Sequence, residues 1–144
     1  MEQSKDKKKQ IGTAIGFAIG ILGVVIIQQL FFKPSSFDKV MMNAASELNK
    51  TCPIMVDQET RLDNAVALPG NILQYNYTLV HMVKDSINLQ DMQNYLTPVI
   101  INNVKTNPDL KIYRDHKTTM AYYYKDKNGA FVFKITVTPE QYGQ

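Results

Sequence analysis

The chain is short of the residues that most often carry chemistry. Its 144 residues include one cysteine (Cys52), two histidines (His81 and His116) and no tryptophan. A single cysteine excludes an intrachain disulfide. A metal centre needs several Cys, His or carboxylate ligands converging, and no H-E-x-x-H or comparable spacing occurs. A phosphate-cradling loop is missing as well: the glycines at 12–23 lie in an apolar run, and no G-K-[ST] follows them. No metal or other cofactor is therefore expected. Excess charge of one sign is also lacking after residue 33. From Pro34 to Gln144, eleven Lys/Arg face eleven Asp/Glu, so the net +3 comes from Lys5, Lys7, Lys8, Lys9 and Lys33 against Glu2 and Asp6. The later residues carry no basic footprint, and no nucleic-acid partner is expected.

Ile11 to Phe32 is a 22-residue stretch without a charged side chain. As a helix it would rise about 33 Å, enough for a hydrocarbon core of about 30 Å. A cleaved signal peptide has a shorter apolar region and small residues at its exit. This run leaves through Leu30, Phe31, Phe32 and Lys33, so the expectation is an uncleaved, single-pass signal anchor in the lipid bilayer. Four lysines precede it and one follows, which predicts a cytoplasmic N-terminus and a C-terminal domain in the periplasm or cell exterior. The expected organisation is a basic cytoplasmic tail over 1–10, a transmembrane helix over 11–32 and an extracytoplasmic domain over 36–140. Gly12, Gly16 and Gly20 recur every four residues and would share one helix face, a pattern that permits a weak homodimer; glycine is also simply common in membrane helices.

Beyond Pro34 the pattern alternates between periods. Phe37, Val40, Met41, Ala44, Ala45 and Leu48 keep helical spacing, predicting an amphipathic helix over 37–50. A strand is expected near 61–68. After the Pro69-Gly70-Asn71 turn signal, a second is expected over 72–83, where Leu73, Tyr75, Tyr77 and Leu79 fall on one face. Asn88 can cap a helix that runs to about residue 105, with Pro98 expected to kink or split it. Met120, Tyr122 and Tyr124, a turn at Lys127-Asn128-Gly129, then Phe131, Phe133, Ile135 and Val137 read as a hairpin. The order helix-strand-strand-helix-strand-strand predicts an α+β domain, an antiparallel sheet with helices on one face.

Cys52-Pro53, Val56-Asp57, Thr60 and Leu62 form one short pattern. Gly70 with Tyr75-x-Tyr77, echoed by Tyr122-x-Tyr124 before Asp126 and Gly129, forms another. Together they resemble a group of small, mostly uncharacterised bacterial proteins that carry a membrane anchor or signal and one α+β domain. The resemblance spans residues 37–138 and implies a bacterial envelope setting; it brings no catalytic residue with it.

Candidate sites are few. A thiol nucleophile would need Cys52 beside His81 or His116 and an orienting group such as Asp57; a lone cysteine is otherwise a small packed side chain. Asp57, Glu59, Arg61 and Asp63 are the densest charge cluster and make a candidate polar surface site, with a solvated loop and strand edge as the plain alternative. Of Tyr122, Tyr123 and Tyr124, strand alternation leaves only Tyr123 for display. The chain is therefore expected to be no enzyme but a tethered interaction domain of a bacterial envelope with a protein partner. The alternative is a small-ligand-binding or secretion/assembly-accessory module.

Overall fold

A computed structural model of the chain describes residues 37–143. Helix α1 (Phe37–Asn49) is followed by a two-residue strand β1 (Ile54–Met55), then β2 (Thr60–Leu68) and β3 (Ile72–Leu79). Helix α2 (Leu89–Thr106) and the short α3 (Lys111–Asp115) lead into β4 (Thr119–Asp126), β5 (Phe131–Val137) and a terminal turn of helix, α4 (Pro139–Tyr142). The five strands form one sheet in chain order.

The helices arise where the sequence places caps and stripes. Met41, Ala44, Ala45 and Leu48 bury one face of α1, and Leu96, Ile100 and Val104 do so for α2. Asn88 caps α2 through its side chain, which accepts from the Asp91 N–H. Helix α2 is continuous through Pro98 rather than split. Pro98 removes the N–H that the Asn94 carbonyl would accept from, and both residues are exposed. Helix α1 lies against β2 and α2 against β5, which leaves the other face of the sheet uncovered by helix among the described residues.

The core between helices and sheet is aromatic. Parallel pairing sets Tyr75 beside Tyr122 and Tyr77 beside Tyr124, and their rings stack at 5.5 and 5.0 Å. Phe133 extends the block at 4.6 Å from Tyr124.

Several expectations are corrected. The sheet is mixed, not antiparallel: β3 and β4 run parallel while the other pairs are antiparallel. The connection from β3 to β4 carries α2 as a crossover and returns the chain to the end of the sheet where β3 began, and this makes the central pair parallel. The sheet also holds one more strand, β1. Phe131 does not continue the inward face of β5. A register shift between Tyr124 and Lys125 turns Val132 inward and leaves Phe131 45% exposed.

The membrane expectation has no support either. Among the described residues, no helix is long and apolar enough to cross a membrane. The single-pass signal anchor in a lipid bilayer, with its cytoplasmic N-terminus and its domain in the periplasm or cell exterior, is not the reading the structure sustains. The 11–32 run and the Gly12, Gly16, Gly20 stripe lie outside the described residues.

Candidate functional site

The charge cluster read from the sequence divides into three separate arrangements. Asp57 closes the turn before β2: its Oδ1 accepts from the N–H groups of Glu59 and Thr60, each at 2.7 Å. Glu59 lies 3.3 Å from His81 Nδ1. Arg61 and Asp63 join on the uncovered face of the sheet, where Arg61 Nε donates to Asp63 Oδ1 at 2.7 Å. Asp63 Oδ2 accepts from Thr78 Oγ1 at 2.6 Å and lies 3.2 Å from Lys125 Nζ. Burial raises the Asp63 carboxyl, but the bonds from Thr78, Arg61 and Lys125 outweigh it and hold the group below the usual carboxylate range. These carboxylates are engaged in structure, and no group of His, Cys, Asp or Glu among the described residues could hold a metal ion.

Cys52 is no activated nucleophile. Burial, with the Asp63 carboxylate adding, pushes its thiol up from the ordinary value, away from the thiolate that catalysis needs. His81 is paired with Glu59. His116 stacks on Phe37 at 3.8 Å, and its Nδ1 lies 2.8 Å from the Ile112 carbonyl. No hydrogen bond joins either histidine to Cys52 among the described residues.

A groove at the head of α2 went unread in the sequence. Met82, Ile87, Met92, Tyr95 and Leu96 line it, with Ser86, Asn88 and Asp91 at its polar margin, and it encloses about 280 Å³. Tyr95 is 40% exposed there. The groove's wall is the 80–88 segment, which carries a 3₁₀ turn at Lys84–Ser86. Asp126 fixes that wall. Its Oδ2 accepts from the Lys84 N–H at 2.9 Å, and its Oδ1 accepts from Asn128 and Ala130 at 2.8 and 2.9 Å. The Lys127 N–H donates to the Met82 carbonyl at 3.0 Å. One buried carboxylate thus ties the groove to the β4–β5 turn. The hint in the sequence was the apolar stripe of α2, which includes Met92 and Leu96, together with Met82 and Ile87 just before the capping Asn88.

Comparison with known proteins adds a family and a fold. Residues 35–133 match the family model described as Domain of unknown function (DUF8479). No curated protein sequence matches the chain. Among solved structures, a protein from Pseudomonas aeruginosa described as secreted superposes with a TM-score of 0.62 at 11% identity, covering 75% of this chain and 98% of that one. The pilotin EpsS of the Vibrio vulnificus type 2 secretion system gives 0.58 at 11% identity, covering 74% and 92%. The pilotin AspS of the Vibrio cholerae type II secretion system gives 0.53 at 16% identity, covering 72% and 90%. At these identities the likeness is one of fold.

Proposed function

We propose, for a chain that belongs to the DUF8479 family, a non-enzymatic role as an accessory module of a secretion or assembly apparatus. It acts by seating an apolar segment of a protein partner in the groove at the head of α2. The observation that carries this reading is the groove itself. Met82 and Ile87, half-buried on the wall that Asp126 holds in place, line it together with Met92 and the exposed Tyr95 of α2. Methionine is flexible and polarizable, suited to an apolar partner surface, and a half-exposed tyrosine is a frequent energetic anchor at protein interfaces. The fold shared with two pilotins supports the accessory role. The raised Cys52 thiol supports a role without covalent catalysis. A small-molecule site is the weaker reading, because about 280 Å³ falls below the usual range of about 300–1,000 Å³ for such pockets.

The test is complementation. A strain lacking the chain is compared with strains carrying the parent chain or Tyr95→Glu at equal abundance, reading the amount of protein exported to the medium. Loss of export without the chain, restored by the parent and not by Tyr95→Glu, is the expected result. Normal export without the chain would sink the accessory role; full restoration by Tyr95→Glu would sink the groove.

A further inference from the structure

We propose that the uncovered face of the sheet binds carbohydrate, specifically a glycan chain bearing carboxylates. The register builds this surface in straight cross-strand rows. One row runs Asn64, Asn76, Tyr123, Lys134; the next runs Arg61, Thr78, Lys125, Phe131. Within each row, neighbouring strands are about 4.8 Å apart, so the side chains stand side by side on a broad plane.

The aromatic pair is the first feature. Tyr123 and Phe131 lie with ring centroids 5.0 Å apart and planes tilted by 38°, on the face turned away from the helices. Phe131 reaches that face only because the register shift near Lys125 puts Val132 inward in its place. Aromatic faces carry negative potential and attract the weakly positive C–H bonds that cover one side of a sugar ring.

Beside the rings lies a row of amides already held in place. Gln74 Nε2 donates to Asn76 Oδ1 at 2.8 Å, and Asn76 Nδ2 donates to Asn64 Oδ1 at 2.7 Å. Each amide can make more bonds than these lateral ones consume. The remaining donors and acceptors suit hydroxyl groups, which also both give and take. An apolar helix laid here would bury these amides without partners, at a cost that argues against it.

Charge decides the kind of glycan. Among the described residues, Arg61, Lys125 and Lys134 stand on this face against one carboxylate, Asp63, which Arg61 and Lys125 share. The surplus is cationic, and Lys134 is exposed next to Tyr123. Carboxylates along a glycan meet that surplus while the ring faces meet Tyr123 and Phe131.

The test uses the full-length chain and a galacturonic acid hexamer as probe, with uncharged cellohexaose as control, followed by calorimetry. The hexamer should bind more tightly than cellohexaose. Tyr123→Ala and Phe131→Ala should each weaken it by about tenfold, the worth of one aromatic contact. Lys134→Ala should weaken the hexamer and leave cellohexaose unchanged, and Tyr123→Phe should keep the hexamer bound. Tyr95→Glu, in the separate groove, should bind as the parent does. The proposal fails if the hexamer does not bind. It fails equally if both ring variants bind like the parent, which would reduce the effect to polyanion attraction.

Discussion

Asn49 and Ala65, sixteen positions apart, exchange two hydrogen bonds: Asn49 Nδ2 donates to the Ala65 carbonyl at 2.8 Å, and the Ala65 N–H donates to Asn49 Oδ1 at 2.7 Å. Strand β1 pairs with β2 only at Leu62 and Arg61, so β2 would otherwise show an open edge beyond them. The last residue of α1 occupies that edge with one side chain. Asn49→Ala should lower unfolding free energy by about 1–3 kcal/mol, since Ala65 is buried and loses both partners. Lys50→Ala, which removes an exposed pair with Glu47, should cost about 0.5 kcal/mol or less. Urea midpoints on the two variants check the contrast; equal midpoints would mean that the edge bond carries no stability.

Phe133 and Phe131 lie two residues apart and should respond to truncation by very different amounts. Phe133 is 2% exposed within the tyrosine block, so Phe133→Ala should cost about 3–5 kcal/mol. Phe131→Ala on the outer face should stay within about 0.5 kcal/mol. Thermal melts of both check the contrast; a large loss at Phe131 would overturn its outward placement.

Tyr113 is fully buried, and its hydroxyl finds no hydrogen-bond partner among the described residues. Burial, with Tyr75 adding, keeps the phenol protonated well above the ordinary range. Deleting an unpartnered buried hydroxyl removes a desolvation cost of about 1–3 kcal/mol. Tyr113→Phe should therefore melt higher than the parent. A lower melting temperature would show that a buried water satisfies that hydroxyl.

Acid should loosen the groove wall. The Lys84 N–H, then those of Ala130 and Asn128, hold the Asp126 carboxyl below its usual range despite burial. A depressed folded value means the group stabilises the fold fully above its unfolded pKa of about 3.9. That contribution is lost as pH falls through the lower folded value. Unfolding free energies between pH 7 and pH 2 should show Asp126→Asn below the parent at neutral pH, with the two curves converging on acidification. Parallel curves would remove Asp126 from the account.

Local structure was legible where one residue decided it. Asn88 announced the start of α2, Asn128-Gly129 announced the last turn, and the stripe from Phe37 to Leu48 announced α1. What escaped depended on distant contacts. Tyr75 and Tyr122 each alternate correctly, yet nothing local says that their strands run parallel, because direction follows from how α2 crosses. Phe131 shares the alternation of Phe133, and only the register of the partner strand turns it outward. Of the groove's lining, Met92 and Leu96 lie on the helical period of α2, but Met82 and Ile87 come from a loop and Tyr95 lies off the stripe, so the groove as a whole has no period to read. Arg61 and Asp63 did prove to be neighbours on one face, but Asp57 and Glu59 bond elsewhere, since a turn separates them from the strand.

The parallel joint between β3 and β4 has a kinetic consequence. It sets Ile72 opposite Thr119, so the middle of the sheet is made by residues 47 positions apart, while each outer hairpin is local. The β2–β3 and β4–β5 hairpins can each form without closing a long loop. Their union must wait for the 80–118 crossover to be reeled in, with its entropy cost met before any central contact forms. Until then each hairpin shows a bare inner edge lined with tyrosine. The slowest moment of folding is thus also the moment when two copies of the chain can trade halves.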